Sequence, residues 1–301
     1  MDGKRKRMVV TGREGQVVRS LLERGALNDR FEIVALGRPE IDLRNPDGVG
    51  AAFRLAQPDI IVSAAAYTAV DRAETEEAEA HAINAIAPGR IAGVAGDLGI
   101  PVIHLSTDYV FDGEKPGPYL ETDPVGPASA YGRTKLAGER AVAEATDNHV
   151  ILRTAWVYSP FGRNFLKTML TLAESRDQVN VVDDQRGNPT LALDIADGIL
   201  AIAGNLLDSD ALQLRGIFHM TGSGSASWAD FATEIFAASA KQGGPSAAVE
   251  RIPSSAYPTP ARRPANSQLD CGKLERVHGV RLDDWKYAAA ETVARLVRDG
   301  T

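Results

Sequence analysis

The sequence is poor in the residues from which disulfides, metal centres and membrane spans are built. Its 301 residues contain one cysteine, Cys271, which cannot form a disulfide within the chain. Five scattered histidines and no cysteine pair give no basis for a metal site, and we expect none. No apolar run approaches the roughly 20 residues of a transmembrane helix. With 44% hydrophobic and 24% charged residues, the composition is typical of a soluble globular protein, and we expect a cytoplasmic location without a membrane partner.

Positive charge is also in short supply, with 33 Lys and Arg against 40 Asp and Glu and a net charge of −7. A basic cluster at residues 4–7 precedes an apolar run that is too short for a signal peptide. Because the chain as a whole is acidic, this cluster predicts a solvated tail, and we expect no nucleic-acid partner. Two adjacent acids, Asp183 and Asp184, lack further ligands and are expected to be solvated.

Apolar segments of strand length alternate with helical segments through the first half of the chain. The predicted strands are residues 8–10, 31–36, 58–62, 101–105, 149–152 and, further along, 216–220. Their nearly continuous apolar runs indicate a parallel sheet that helices cover on both faces. We therefore predict an α/β fold: a Rossmann-type doubly wound parallel sheet with a smaller α/β C-terminal substrate domain. The predicted dinucleotide-binding domain comprises residues 1–157 and 191–222, and the predicted substrate-binding domain comprises residues 158–190 and 223–301.

The pattern after Trp156 is less regular. It predicts a strand at residues 179–182 and, because residues 243–263 are rich in Pro, Ser and Ala, a loop region there with little regular structure. The helices predicted in this part of the chain are residues 164–176, 192–206, 227–240 and 285–297, with Ser227 as an N-cap.

The first predicted strand runs into a Gly-x-x-Gly turn and then a helix, the arrangement that binds dinucleotides. Glycine lets the backbone approach a pyrophosphate, whose charge faces the N-terminus of the helix. The residues of this turn that we assign to a cofactor are Gly12, Gly15, Gln16 and Val17. Val18 stands where a third glycine is usual, so we expect this helix to sit slightly farther from the sheet.

The ends of the second and third predicted strands carry further candidate cofactor contacts. Gly37 stands where an acidic residue usually binds an unphosphorylated ribose, so the next residue, Arg38, either binds a 2′-phosphate or is simply exposed. Asp42, followed by Leu43, is a candidate partner of the adenine amino group. The short side chains that would let a cofactor lie against the end of the third strand are those of Ala64, Ala65, Ala66 and Thr68.

The catalytic candidates lie at the end of the fourth strand and in the helix that follows it. Tyr131 and Lys135 are four residues apart, which places them one turn apart on one helix face. A lysine ammonium beside a phenol lowers the tyrosine pKa, so we expect Tyr131 to be a usable acid or base near neutral pH. The same spacing also occurs by chance in ordinary surface pairs, so its meaning depends on neighbours such as Thr107. His104 lies inside an apolar run and is expected to be a core residue.

The Gly-x-x-Gly turn, Ser-Thr-Asp after the fourth strand and Tyr-x-x-x-Lys together resemble the extended short-chain dehydrogenase/reductase superfamily. Within it, seven longer stretches are similar to the dTDP-4-dehydrorhamnose reductase family and follow its order along nearly the whole chain. These stretches are residues 64–71, 106–113, 153–158, 162–165, 184–190, 227–232 and 259–267. The chain departs from the family at Val18 and at Ser63, where asparagine is frequent, and neither change removes a reacting group.

The resemblance implies a reductase of the C4 keto group of dTDP-4-dehydro-L-rhamnose that gives dTDP-L-rhamnose, with NADPH as cofactor and NADH as a possible second one. It implies that Tyr131 gives a proton to the C4 oxygen, that Lys135 holds the nicotinamide ribose, and that Thr107 polarises the keto group. Tyr131 and Lys135 would therefore also contact the cofactor. The substrate contacts that the resemblance implies are Thr107, Asp108, Tyr109, Trp156, Asn164 and, at the diphosphate, Arg262 or Arg263.

Three other classes stay open on the sequence alone. One is another nucleotide-sugar epimerase or dehydratase, although a dehydratase usually has a glutamate where Tyr109 stands. The second is a non-catalytic, cofactor-binding regulatory subunit, which loss of Tyr131 or Lys135 would favour, and both are present. The third is a bare dinucleotide-binding redox sensor, which would not need the motif-rich C-terminal third. We expect a small-molecule nucleotide-sugar partner and a monomer or homodimer.

Overall fold

The computed structural model of the chain describes residues 5–45 and 48–300. The basic cluster that predicted a solvated tail lies partly outside these residues. Its described part does not form a tail, because Lys6 and Arg7 are the first two residues of a strand. Arg5 donates to the carbonyl oxygens of Gly25 and Phe31, and Lys6 pairs with Asp59 at 3.0 Å.

Strands and helices alternate along the described chain. The strands are β1 (Lys6–Thr11), β2 (Phe31–Leu36), β3 (Ile60–Ser63), β4 (Val102–Thr107), β5 (His149–Thr154), β6 (Val157–Tyr158), β7 (Gln178–Val182), β8 (Arg186–Gly187), β9 (Thr190–Leu191), β10 (Gly216–His219), β11 (Ala226–Ser227) and β12 (Ala248–Ile252). The α-helices are α1 (Gln16–Ala26), α2 (Val49–Ala56), α3 (Val70–Ala73), α4 (Glu77–His81), α5 (Ala87–Leu98), α6 (Ala130–Ala145), α7 (Phe165–Ala173), α8 (Ala192–Asp208), α9 (Trp228–Lys241), α10 (Gly272–His278) and α11 (Trp285–Asp299).

Six of these strands form one parallel sheet in the order β10-β5-β4-β3-β1-β2. The chain moves outward from β1 to β2 on one side and then returns to place β3 on the other side of β1. The carboxyl ends of β1 and β3 therefore border the crevice at which open α/β sheets bind their ligands. The predicted Rossmann-type α/β fold is confirmed.

Successive residues of β1 point to opposite faces of the sheet, as the two-residue period of a strand requires. Met8 and Val10 pack into a core with Leu21 of α1 and Ile199 of α8. On the other face, Val9 packs into a core with residues of α2 and α5, including Phe53 and Ile91. The sheet is thus covered on both sides, which explains why its strands read as continuous apolar runs.

A third hydrophobic core lies in the C-terminal part of the chain. Its buried members include Tyr158, Leu170 of α7, Phe231 of α9 and Val293 of α11. Helix α9 begins with a capping box in which Ser227 and Asp230 each bind the backbone of the other, so the predicted N-cap is confirmed. This core defines a second unit beside the main sheet; its role in substrate binding and its residue bounds stay a prediction.

Two details of the C-terminal part correct the sequence-based expectations. Residues 243–263 are not a loop throughout, because β12 pairs in parallel with β7. Most residues of β12 are exposed, so the strand has no apolar alternation by which it is recognised. Helix α7 ends at Ala173 rather than residue 176, and Asn164 is its N-cap.

No helix in the ranges 5–45 and 48–300 is both long and apolar enough to cross a membrane. The adjacent acids Asp183 and Asp184 bind neighbouring protein groups. Asp183 accepts a hydrogen bond from Ser227 and pairs with Arg251, while Asp184 accepts from Ser254. Over the same two ranges, no cluster of three or more acidic, histidine or cysteine side chains has the arrangement of a metal site.

Candidate active site

The C-terminal end of β4 meets the first turns of α6, and this contact brings Thr107, Tyr131 and Lys135 together. Ser129 caps α6 by accepting a hydrogen bond from the Gly132 backbone N–H at 3.2 Å. A Cβ atom at position 132 would lie 2.2 Å from the Tyr109 carbonyl oxygen. Glycine at this position therefore allows the helix to approach the end of β4 closely enough for the three side chains to meet.

The Tyr131 phenol lies close enough to the Thr107 hydroxyl for that hydroxyl to influence the Tyr131 pKa. The Thr107 Oγ1 atom in turn donates to Asp108 Oδ1 at 2.9 Å. The Tyr109 ring packs edge-on against the Tyr131 ring, with 5.4 Å between their centroids. A phenol and an aliphatic hydroxyl thus lie side by side where a carbonyl oxygen of a substrate would need a proton and a hydrogen bond.

The protonation of Tyr131 differs from the expectation. Burial raises the pKa of Tyr131, the nearby Asp108 carboxylate raises it further, and the Thr107 hydroxyl opposes both effects only in part. The prediction that Lys135 lowers this pKa is wrong for the structure, because the Lys135 ammonium is directed to the Leu105 carbonyl oxygen at 2.5 Å. Tyr131 is therefore a protonated phenol at neutral pH.

Lys135 and Asp108 are both buried beneath this pair of hydroxyl groups. Burial lowers the pKa of Lys135 to about 8, which Glu139 partly opposes. Burial raises the pKa of Asp108 to about 6 despite hydrogen bonds from Ser267 and Thr107. The Asp108 Oδ2 atom is buried without a hydrogen-bond partner among the described residues. His104 is fully buried in β4 and contacts Ser63, so its prediction as a core residue is confirmed.

The predicted glycine turn lies against the end of β3. Gly12 has a φ of +99°, and a Cβ atom built on it would lie 3.4 Å from the Ala65 side chain. The Thr11 hydroxyl accepts hydrogen bonds from the Ala64 and Ala65 backbone N–H groups, both at 2.9 Å. Small residues thus line both sides of the crevice between β1 and β3.

The first turn of α1 is suited to an anion. Gly15 is the N-cap and provides no side chain to bind the first free N–H groups of the helix, which include those of Gln16 and Val17. Together with the small residues of the crevice, these free donors fit the diphosphate of a dinucleotide. Val18 is buried in the core on this face of the sheet, and its Cγ2 lies 3.4 Å from a Cβ atom built on Gly12.

The end of β2 carries positive charge where an acidic residue is more usual. A Cβ atom at Gly37 would lie 3.0 Å from the Arg13 side chain, so Arg13 covers this position and pairs with Glu40. Arg38 is exposed beside them. This set of residues fits a phosphorylated ribose better than a free one.

Two other candidates at the adenine end, Asp42 and Leu43, are half-buried. Asp42 accepts hydrogen bonds from Arg44, which lower the pKa of Asp42 to about 2. Leu43 packs against the core under α2 and α5. The last members of the cofactor set, Ala66 and Thr68, flank Tyr67, whose backbone N–H and carbonyl both bind Asn84.

Gln16 and Asn164 join the glycine turn to the second unit. Gln16 Oε1 accepts hydrogen bonds from Ser159 at 2.8 Å and from Asn164 at 3.0 Å. The Asn164 amide also donates to the Ser159 carbonyl and accepts from the Lys167 backbone N–H. Asn164, predicted to bind substrate, therefore already uses both amide hydrogens within the protein.

The two arginines proposed for the diphosphate are placed differently. Arg263 donates to the Tyr109 hydroxyl at 3.0 Å and pairs with Asp71 at 2.7 Å, and its side chain is 24% exposed. Arg262 points to Glu114 on the surface, and its side chain is 65% exposed. Arg263 thus lies beside the catalytic candidates, and Arg262 lies at the rim.

Trp156 has an unusual backbone conformation, with a φ of 49° that residues other than glycine rarely adopt. Its indole stacks on Trp228 with 3.6 Å between ring centroids and 7° between ring planes. Glycine is required at position 187, because a Cβ atom there would lie 2.5 Å from the Trp156 ring. Trp228 is fixed by a hydrogen bond from its Nε1 to Gln185 Oε1 at 3.2 Å.

Sequence reasoning missed several residues that build this site. Asp71 and Trp228 lie in stretches that carried the family resemblance, which was their only signal. Asn84 lies in a π-helical turn, Ala82–Ile86, and joins the backbone of Tyr67 to the Thr134 hydroxyl of α6. A polar residue in an otherwise apolar helix was the one visible sign of Asn84.

A doubly wound sheet, a glycine turn at its crevice and a Tyr–Lys pair beside a Thr hydroxyl define an oxidoreductase of the extended short-chain dehydrogenase/reductase class. A family model described as the RmlD substrate binding domain matches residues 6–298. The chain belongs to this family, and the predicted resemblance is confirmed.

Three similar proteins carry the same name. A curated relative from Sinorhizobium fredii, "dTDP-4-dehydrorhamnose reductase", is 52% identical over 98% of this chain and 99% of its own length. A dTDP-4-dehydrorhamnose reductase from Clostridium acetobutylicum superimposes with a TM-score of 0.88 at 36% identity, covering 97% of this chain and 99% of that one. The Bacillus anthracis enzyme, solved in complex with NADP, has a TM-score of 0.89 at 31% identity and covers 97% of this chain and 100% of that one.

Proposed function

We propose that this protein is a dTDP-4-dehydrorhamnose reductase, which reduces the C4 keto group of dTDP-4-dehydro-L-rhamnose to give dTDP-L-rhamnose. The observation that carries the proposal is the contact between Thr107 and Tyr131 above Lys135, at the mouth of the dinucleotide crevice. Relatives of this name share up to 52% of their residues with the chain over almost its full length.

NADPH is the proposed cofactor, with NADH as a second one. The residues that would hold it are those of the glycine turn, the small residues after β3, and Arg38 with Arg13 at the end of β2. Arg38 is exposed, and Arg13 forms a surface ion pair, which is worth at most about 1 kcal/mol and is easily exchanged for a phosphate. When bound, the reduced nicotinamide supplies the hydride.

The side chains at the end of β4 and in α6 supply the proton and the charge stabilisation. Tyr131 carries its phenolic proton at neutral pH, so it holds a proton to give to the keto oxygen in the direction of reduction. The Thr107 hydroxyl, which donates to Asp108 in this structure, turns its hydrogen to the keto oxygen as negative charge develops on that oxygen. Lys135, whose ammonium donates to the Leu105 carbonyl oxygen, orients the cofactor ribose.

The substrate side of the site is proposed to use both units of the protein. Arg263 lies next to Tyr109, so its guanidinium is the better placed of the two arginines for the diphosphate, in exchange for Asp71. Trp156 is held against Trp228 and Gly187 and would border the deoxysugar. Asp108 and Tyr109 complete the wall next to Thr107.

Turnover of the purified protein with NADPH and the keto sugar nucleotide tests the proposal. We expect loss of NADPH absorbance and formation of dTDP-L-rhamnose, with NADPH used at least as well as NADH. A regulatory subunit would bind NADPH without turnover, and an epimerase would consume no cofactor.

Calorimetry on the protein with bound NADP tests the substrate class separately. The nucleotide sugar dTDP-L-rhamnose should bind most tightly, free dTDP more weakly, and free rhamnose undetectably. Equal binding with and without the nucleotide would contradict the proposal. A cytoplasmic location and a monomeric or homodimeric state belong to the same proposal.

A further inference from the structure

Three consecutive residues at the end of β4 contact three residues of α6 that are spaced one turn apart on one face of the helix. The contacts are Leu105 with Lys135, Ser106 with Glu139, and Thr107 with Tyr131. Two of these contacts belong to the proposed catalytic site. The contact of Ser106 with Glu139, at 2.5 Å, joins the same two elements below that site and has no role in the mechanism above.

The Glu139 carboxylate is buried and fully hydrogen-bonded. Its Oε1 accepts from Ser106 Oγ and from Arg153 Nε at 2.9 Å, and its Oε2 accepts from Arg153 Nη2 at 2.7 Å. Glu139 and Arg153 side chains are each 3% exposed. Buried ion pairs of this kind are often replaceable by apolar residues without loss of stability, so stability alone does not account for this one.

Lys135 lies one helical turn before Glu139 and is 2% exposed. Burial disfavours its ammonium form, and the charge of Glu139 opposes that effect. The other titratable or charged groups on the elements packed around this pair are His104 on β4, Asp108 after β4, Tyr131 on α6, Arg153 on β5 and, beside Arg153, His219 on β10. The two histidines are neutral, because burial holds the pKa of each well below its usual range.

We propose that Glu139 is a positioning residue of the active site. Its carboxylate keeps the Lys135 ammonium charged, and its bond to Ser106 fixes β4 against α6 so that Thr107 and Tyr131 stay in contact. The first part concerns the charge of Lys135 and is independent of the substrate. The second part rests on the proposed function, because it assumes that Thr107 and Tyr131 react with a keto group.

Titration of Lys135 in the full-length protein tests the first part directly. Lysine labelled with ¹³C at Cε reports its own protonation by NMR, and the Lys135 signal is assigned by its loss in Lys135→Arg. Glu139→Gln retains the size of the side chain and an acceptor for Ser106 while removing the charge. We expect the Lys135 midpoint to fall by about one pH unit or more, the effect of losing a close opposite charge. Glu139→Asp, which keeps a carboxylate, should restore most of the shift.

The pH dependence of kcat/KM provides the second readout. Its alkaline limb should move to lower pH in Glu139→Gln by the same amount as the Lys135 midpoint. Ser106→Ala is the matched control, since it removes the link to β4 and leaves the charge. Ser106→Ala should lower kcat and change KM little. The alkaline limb of the kcat/KM profile and the Lys135 midpoint should both stay at their wild-type pH.

Glu139→Gln leaves the Arg153 charge buried without its partner, which costs folding stability on its own. The double variant Glu139→Gln/Arg153→Gln replaces the ion pair by two neutral amides and should show a smaller fall of the Lys135 midpoint, because the positive charge of Arg153 is removed as well. A folded single or double variant with the wild-type midpoint overturns the proposal. A lowered midpoint in a protein that does not reduce the keto sugar nucleotide would instead refute the proposed function and leave the effect of Glu139 on Lys135 standing.

Discussion

At the scale of single residues, the site depends on how burial sets the charge of its titratable groups. Tyr131 and Asp108 both have raised pKa values, and Lys135 has a lowered one, and burial is the largest cause in each case. Sequence spacing predicted that Tyr131 and Lys135 share a helix face. It did not predict the pKa of Tyr131, because this depends on Asp108 and on the carbonyl oxygen of Leu105 that binds Lys135.

Replacement of the proposed acid tests the role of Tyr131. Tyr131→Phe removes the proton donor and retains the ring that packs on Tyr109. We expect kcat to fall by about a hundredfold or more, the scale of general acid catalysis, with little change in NADPH affinity. Near-normal single-turnover rates in this variant would rule out Tyr131 as the acid.

Asp108 gives a prediction about stability and pH. Its pKa is raised from an ordinary value of 3.8 to about 6 in the folded protein, so folding favours the protonated form. Its contribution to stability is fully present below pH 3.8 and is lost as the pH rises through about 6. Asp108→Asn should therefore increase the free energy of unfolding at pH 8 by about 1–3 kcal/mol and have little effect at pH 3.

Urea unfolding of Asp108→Asn at the two pH values measures this difference. Asp112→Asn is a matched control in which the effect on stability should have the opposite sign. The hydrogen bond from Tyr119 lowers the pKa of Asp112, so folding favours its charged form. This control should lose stability above the ordinary aspartate pKa and little below it. Equal free energies of unfolding for wild type and Asp108→Asn at pH 8 would mean that burying the charged Asp108 carboxylate does not destabilise the folded protein.

At the scale of elements, the last loop before α10 brings two neighbouring arginines to different places. Arg263 reaches Tyr109 and Asp71, whereas Arg262 points to Glu114 at the surface. Arg263→Ala should weaken binding of the nucleotide sugar by about 1.5–3 kcal/mol, the range of a charged hydrogen bond. Arg262→Ala, the matched control, should change it by no more than about 0.5 kcal/mol, as an exposed substitution does.

Isothermal calorimetry with dTDP-L-rhamnose on both variants measures this difference. Binding of NADP should be the same in both variants, which separates a loss of substrate contact from damage to the fold. A larger loss of affinity for dTDP-L-rhamnose in Arg262→Ala than in Arg263→Ala would mean that Arg262, and not Arg263, binds the diphosphate.

The elements also show where sequence patterns are informative. The inner strands β3, β4 and β5 of the main sheet are almost wholly buried, so each one reads as a short apolar run. Strand β12 is mostly exposed and depends on pairing with β7, about 70 residues earlier in the chain, and nothing in its own residues indicates that partner. The stack of Trp156 on Trp228 could not be predicted from local sequence either, because the packing of the C-terminal part of the chain brings the two rings together.

At the scale of the whole molecule, hydrogen bonds join the residues of the proposed active site to both the sheet and the second unit. Gln16 at the glycine turn binds Ser159 and Asn164, and Asp71 after β3 binds Arg263 from the C-terminal loop. Glu23 of α1 forms a bidentate pair with Arg295 of α11. The fold class followed from the order of strands and helices, but these links join residues up to 272 positions apart and follow no local pattern.

The proposed reaction moves a hydride from the nicotinamide to C4 of a nucleotide sugar. The direct test is turnover of the keto sugar nucleotide with NADPH that carries deuterium at the transferred position of the nicotinamide, followed by NMR and mass spectrometry of the sugar product. We expect one deuterium per product molecule, bound to C4 of dTDP-L-rhamnose. Deuterium that stays on the cofactor, or that appears at another carbon of the sugar, would contradict it.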